Sequence, residues 1–299
     1  MTFVEGPVRV SVPATSANLG PGFDALGLAL DLRDELEAEI LPEGLVVEVA
    51  GVGEGEVPLD ERHLVVRSMR AVFERIGVEP PGLRLSCTNV IPHARGLGSS
   101  SAAIVAGVWL GRELVAGGRL WLDDAALLDL AARIEGHPDN VAPALYGGFT
   151  IAGHDADGSF WAAPAGVDPR ISVVVFVPPT PVSTEQARGL LPATVPHADA
   201  AANAGRAALL VAALGSAPEL LLRATEDRLH QGYRRPAMPE SLALVDALRA
   251  DGIAAIVSGA GPTVLAFADG TDAATLLARC PQGWAGHALA IDDTGARPA

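Results

Sequence analysis

Apolar positions along the chain follow two rhythms, and each predicts its own kind of element. Between residues 64 and 76 the side chains Leu64, Val65, Met69, Val72, Phe73 and Ile76 recur at three- and four-residue spacing, which predicts an amphipathic helix with Gly77 as its stop. A second helix follows from Ser100, with small residues as far as Gly107, then Val108, Trp109, Leu110, Leu114 and Val115, closed by Gly117 and Gly118. Asp123 can cap a third, whose apolar positions include Leu127, Leu128, Ala131 and Ile134 and which Gly136 ends. The other rhythm is short and β-branched. Residues 8–12 read as a strand entering a loop at Pro13, residues 45–49 as another, and residues 83–88 alternate apolar and polar side chains before a glycine-rich stretch.

Residues 155–169 are polar and rich in Gly, Ala and Pro, so they mark the expected boundary between two halves, 1–160 and 161–299. Beyond them lie a strand at 171–177, Ala/Leu-rich helices near 203–214, 218–230 and 240–250, and strands at 254–257 and 264–267. There is no internal repeat. Strands interleaved with helices predict an α/β or α+β fold.

Composition narrows the chemistry. With 299 residues, 49% of them hydrophobic and 19% charged, the chain buries a substantial core in one large domain or two intimate ones. A net charge of −15 with no basic run argues against a nucleic-acid partner. All 21 basic residues are arginine, so a Walker-type GxxxxGK[ST] loop, a Schiff-base lysine and a protein-kinase strand lysine are excluded. Cys87 and Cys280 stand alone, outside any metal-binding spacing, and read as small apolar fillers. No uncharged apolar run reaches the roughly 20 residues that a membrane span needs, and residues 1–10 lack a basic segment before an apolar one. The expectation is a cytoplasmic protein without a membrane partner.

Four stretches carry candidate chemistry. The loop Pro92-His93-Ala94-Arg95-Gly96-Leu97-Gly98-Ser99-Ser100-Ser101-Ala102-Ala103 joins a strand to a helix. Its glycines let backbone N–H groups approach an anion, and the positive end of the helix behind them points at the same place. The sequence PATSANLGPGFDALGLAL, residues 13–30, places Asn18 and Asp24 in a rigid loop before an apolar run, with Asp24 alternatively a helix cap. In EGHPDNVAPALYGGF, residues 135–149, Glu135 ends a helix, an unfavourable place for a carboxylate that a bound cation would offset. His137, Asp139 and Asn140 follow in a loop held by Pro138 and Pro143. The last stretch, SGAGPTVLAF at residues 258–267, reads as a glycine turn between two strands, and Arg188, Arg234 and Arg235 are candidate carboxylate binders.

In this order and with these gaps, the four stretches resemble the GHMP kinases, a likeness running from Val10 to Phe267. The stretches at residues 13–30 and 135–143 are most similar to the homoserine kinase branch, whereas the other two are shared across the group. The resemblance implies a two-part fold: an N-terminal part like the second domain of ribosomal protein S5, and a ferredoxin-like C-terminal part, with the site between them. It also implies ATP, Mg2+ and transfer of the γ-phosphoryl group to the side-chain hydroxyl of L-homoserine. Carried over by position, residues 92–103 bind ATP, and Ser99 or Ser100 partners magnesium together with Glu135. Asn18, Asp24, His137, Asn140, Arg188 and Arg234 meet homoserine. Asn140 orients the attacking hydroxyl and Arg188 stabilises the transferring group, without a dedicated protein base. A mevalonate-type acceptor and a non-catalytic ligand sensor are the competing readings, and apolar surface in such chains is compatible with a homodimer.

Overall fold

Alternation at period two and the 3.6-residue helical period act on different stretches of this chain, and a computed structural model, which describes residues 2–269 and 273–299, shows how they assemble. Three antiparallel partners gather around one long strand, and two further strands extend the sheet. β1 (Val8–Ala17) runs antiparallel to β2 (Leu26–Leu41), which also pairs antiparallel with β4 (Gly82–Asn89) and β5 (Phe149–His154). β3 (Gly44–Gly51) lies parallel to β4, and β6 (Phe160–Ala165) closes the sheet beside β5.

Helices cover this sheet. α1 (Leu64–Ile76) occupies the span that its spacing predicts, and Gly77 ends it in the left-handed region at φ 80°. α2 (Ser99–Glu113) is apolar nearly all round because it is central, packing on α1, on β1 and on α4 (Asp124–Glu135). Between them sits the short α3 (Gly118–Trp121), so α2 ends earlier than Gly117. Asp123 caps α4 by accepting from the Ala126 amide, as its position predicts. α5 (Val141–Tyr146) follows.

The second sheet is antiparallel in the order β10-β7-β9-β8, from β7 (Ile171–Val177), β8 (Ala255–Val257), β9 (Val264–Asp269) and β10 (Ala285–Leu289). Numbered within this half, the order is 4-1-3-2, that of a split βαβ, ferredoxin-like unit. Its helices are α6 (Thr184–Gly189), α7 (His197–Ser216), α8 (Leu221–Ala224), α9 (Pro239–Ala250) and α10 (Ala273–Leu277). β7 shows why the two sheets do not separate. Val173, Val175 and Val177 join the main core, whereas Val174 and Phe176 face α9 and α10 in a second cluster.

Several expectations need correction. The first strand does not stop at Pro13, because the register shifts between Pro13 and Ala14 and leaves Asp31 and Leu32 of β2 outside the pairing, so the missing proline N–H costs no ladder bond there. The apolar run after Asp24 is β2, not a helix, so Asp24 caps nothing. The polar boundary segment contains β6, whose alternating exposure shows a strand with one face in water. Pro143 lies inside α5 rather than in a loop, early enough in the helix that its absent N–H is tolerated. Residues 218–230 are one 3₁₀ turn and the four-residue α8, then irregular backbone, with a second 3₁₀ segment at Gly232–Ala237.

After β10 the chain returns to the first sheet. Ile291 bridges to Leu30 and Arg297 to Ser11, and the Gly148 amide donates to the Asp292 carbonyl. Arg33 is the pin: its guanidinium pairs with the Asp292 carboxylate and donates to the Ser11 and Gly295 carbonyls, each at 2.7 Å. Burial alone pushes the Asp292 carboxyl up, but the Gly295 and Thr294 amides and Arg33 outweigh it and hold the group below 3.8. Because the folded value is depressed, this stabilisation is present above the unfolded value and is lost as pH falls through the folded one. Asp292→Ala is expected to cost about 3–5 kcal/mol, since it strands a buried guanidinium. Urea unfolding at pH 7 would show this, with the wild-type advantage shrinking below pH 4; a change under 1 kcal/mol at pH 7 refutes the assignment.

Candidate active site

Two glycines fix the loop at residues 92–103 against the rest of the molecule. Gly98, at φ 69°, precedes α2, and a Cβ there would lie 1.9 Å from Thr15 Oγ1. Gly96, at φ 76°, would place a Cβ 2.3 Å from the Ser258 carbonyl oxygen. A Cβ would run into backbone at Gly96 and into the Thr15 side chain at Gly98, and both residues hold a positive φ that favours glycine. Ser258 donates to the Gly96 carbonyl at 2.6 Å and shares a further bond of 2.8 Å with the Ser16 hydroxyl, while the Thr15 amide donates to Leu97 O at 3.0 Å. α2 begins without a side-chain cap, so no side chain meets its first-turn amides.

These amides open on a cleft of about 280 Å³ between the two halves. On one wall, Glu135 accepts from Ser100 Oγ at 2.6 Å and from Ser101 Oγ at 2.8 Å. Its unfavourable place at the C-terminal end of α4 is thereby offset, because its charge meets the positive start of α2. Beside it His137 Nδ1 lies 2.7 Å from Asp139 Oδ1. Burial pushes the His137 imidazole down, but the bond to Asp139 and the charges of Asp139 and Glu135 more than reverse this, and its pKa lies above 6.5. Asn140 accepts from Thr15 Oγ1 at 2.8 Å, and no described residue accepts from its Nδ2.

The opposite wall is cationic. Arg188, on α6, grips the Asp24 carboxylate through two bonds of 2.6 and 3.1 Å. Arg234 is 1% exposed, donates to the Gly259 carbonyl and to His230 Nδ1, each at 3.0 Å, and leaves Nε without a partner among the described residues. Burial first, then the neighbouring Arg188, lowers its pKa to about 10, which still leaves it charged at neutral pH. His230 accepts from Arg234, so its Nε2 carries the proton and donates to Gly20 O at 2.7 Å. Burial depresses this imidazole and keeps it neutral. Phe23 stands between the arginines, its ring centroid 5.4 Å from the Arg188 guanidinium carbon and 5.7 Å from that of Arg234.

The tertiary structure brings Asn18, Gly96, Gly98, Ser99, Ser100, Glu135, His137, Asn140, Arg188 and Arg234 to one cleft. Asn18 reaches it with its amide committed, donating to Gly259 O at 2.9 Å and accepting from the Asp24 amide at 3.0 Å, so it holds Asp24 in its φ 56° conformation. Of the loop, Leu97 and Ala102 are core residues, and Arg95 turns away to carbonyls of residues 93, 178 and 179. His93 and Ala103 line a neighbouring, more apolar cavity of about 260 Å³, which shares Ser99 and Ser100 with the first. Arg235 is on the surface with Asp246. Thr15, Phe23 and His230 were missed from the sequence. Phe23 sits within the GPGFD motif and was findable, whereas Thr15 and His230 act only through contacts distant in the chain.

Models of the GHMP kinases N terminal domain and the GHMP kinases C terminal match residues 63–148 and 206–286. Homoserine kinase from Streptomyces coelicolor is 58% identical over 296 residues, covering 98% of this chain and 95% of that protein. Among solved structures, homoserine kinase from Cytophaga hutchinsonii superposes with a TM-score of 0.87 at 28% identity, over 100% of this chain and 99% of that one. A putative homoserine kinase from Listeria monocytogenes superposes with a TM-score of 0.77 at 32% identity, over 97% and 98%.

The His137–Asp139 contact predicts a titration with a definite sign. Since the folded imidazole lies above 6.5, its stabilisation is complete below 6.5 and disappears as pH rises through the folded value. NMR should place His137 above 6.5 in the wild type and below it in Asp139→Asn, where burial acts unopposed by that charge. An unchanged value in the variant would remove Asp139 as the cause.

Proposed function

The chain belongs to the GHMP kinases, and we propose that it transfers the γ-phosphoryl group of ATP to the side-chain hydroxyl of L-homoserine, giving O-phospho-L-homoserine for threonine biosynthesis in the cytoplasm. The observation that carries this reading is the pairing, in one cleft, of an uncapped helix start beside Glu135 with Arg188 and Arg234, of which Arg188 is held by Asp24 just outside the lining. The first suits a triphosphate. The second suits a small zwitterion, which mevalonate and galactose are not.

ATP lies across Ser99 and Ser100, with its phosphates on the amides at the start of α2 and its base in the adjoining apolar cavity between Pro58, Leu64 and Ala103. Among the described residues no cluster of three His, Cys, Asp or Glu side chains could hold a metal alone. A magnesium ion arriving with ATP needs only one or two protein oxygens, and Glu135 with the hydroxyl of Ser100, or of Ser99 beside it, meets that requirement. Bound there, Mg2+ would neutralise charge on the β- and γ-phosphates.

Homoserine enters with its ammonium replacing the Arg188 guanidinium on Asp24, and with its carboxylate meeting the incompletely satisfied Arg234. Arg188, released from Asp24, then faces the transferring phosphoryl group. Asn140, its Oδ1 held by Thr15, presents Nδ2 to the acceptor hydroxyl and aligns it for in-line attack. Asp139 is engaged by His137, and the loose transition state of phosphoryl transfer allows positioning and charge to supply most of the rate without a protein base.

A coupled ADP-release assay across homoserine, threonine, serine, mevalonate and galactose tests the acceptor, with homoserine expected to dominate kcat/KM; a larger value for mevalonate overturns the reading. Asp24→Asn should raise the homoserine KM roughly ten- to hundredfold, the loss of one charge-assisted bond, with the ATP KM little changed. Asp139→Asn should retain turnover within about tenfold, because general base catalysis would contribute 10²–10⁴. A loss of several orders of magnitude with both substrates still binding would make Asp139 the base.

A further inference from the structure

Arg95 is the sole arginine of residues 92–103 in a chain without lysine, and so the natural candidate to neutralise a phosphate. Its geometry is otherwise. Ala94 and Gly96 on either side line the cleft, whereas the Arg95 guanidinium donates from Nε to Pro178 O at 3.0 Å, from Nη2 to Pro179 O, and from Nη1 to His93 O at 3.0 Å. Its own carbonyl accepts from the Thr263 amide, and the Ala94 carbonyl accepts from the Val182 amide, each at 3.2 Å.

Three of those contacts converge on one linker. Residues 178–182 connect β7 to α6, and with Pro178 and Pro179 lacking N–H groups, the linker is held there by its carbonyls. Immediately beyond it Ser183 caps α6 by accepting from the Gln186 amide, and Ser183, Thr184 and Arg188 all line the cleft. α6 has six residues and buries Ala187 alone, so its own packing fixes it weakly.

Resting on the kinase reading above, we infer that Arg95 is a positioning residue that couples the nucleotide loop to Arg188. By clamping the linker it sets the height of α6 over the loop, so a nucleotide that orders the loop also places Arg188 and the homoserine subsite. Coupling of this kind is reciprocal: each substrate tightens the other by the same factor.

The test uses the full chain as wild type, Arg95→Met and Arg95→Lys, measuring homoserine affinity by calorimetry with and without a non-hydrolysable ATP analogue and magnesium, beside steady-state kinetics and Tm. In the wild type the analogue should tighten homoserine about fivefold or more. In Arg95→Met this factor should fall to within about twofold, the homoserine KM should rise and kcat fall about tenfold or more, and the affinity for the ATP analogue measured without homoserine should stay within about threefold. Arg95→Lys, able to reach one carbonyl, should recover part of the coupling. An ATP KM that rises more than the homoserine KM would make Arg95 a phosphate ligand, and a lowered Tm with coupling intact would make it a staple of the fold; either result overturns the inference alone. Absence of homoserine turnover in the wild type removes the kinase reading and this inference together.

Discussion

The constraint on which the site depends is the seating of the loop before α2 against the backbone of one turn and the side chains of two other elements. The carbonyls of Ser258 and Gly261 press on Gly96 and the Thr15 hydroxyl presses on Gly98 at distances no Cβ allows, with the Asn140 side chain close behind. Glycine there costs backbone entropy in the unfolded chain, offset by a loop with a single seat. Once the loop is seated, α2 starts where its amides open on the cleft, and Glu135 comes within reach of Ser100 and Ser101.

Because the chain has no lysine, arginine carries every fixed positive charge, and its planar fork is used as much for carbonyls as for carboxylates. Arg33 bridges Asp292 and two main-chain oxygens to pin the returning C-terminal segment. Arg95 spends three bonds on carbonyls, and Arg234 spends one on Gly259 and one on a neutral imidazole. Arg188 alone of this set forms a two-pronged pair at the cleft, with Asp24, and that pair is partly exposed. The half-exposed Asp24–Arg188 pair is cheap to break, whereas the buried Arg234 keeps one donor without a partner among the described residues.

Legibility of the fold followed the strength of local periodicity. α1, α4 and β7 lie where their spacing predicts, since each buries a single face or run with a clear stop. β2 was hidden because Arg33, Asp34, Glu35, Glu37 and Glu39 interrupt the apolar alternation that marks a strand, and only pairing with β1 and β4 accounts for them. β6 was hidden because its exposed positions face water beside Gly- and Ala-rich turns. Residues 218–230 misled in the opposite sense: leucine-rich local pattern suggested a helix, but His230 and Arg234 are held by Gly20 and Gly259 across the chain.

What the residues determined alone was the kind of chemistry available: no lysine, four motif stretches in a set order, and a loop whose glycines demanded close backbone approach. What they left open was which side chain faces which neighbour. Ser101 rather than Ser99 bonds Glu135, Arg234 rather than Arg235 reaches the cleft, and Arg95 turns from it. Local pattern sets element type through period and propensity, but a side chain's partner depends on which distant backbone passes beside it, and only the packed structure decides that.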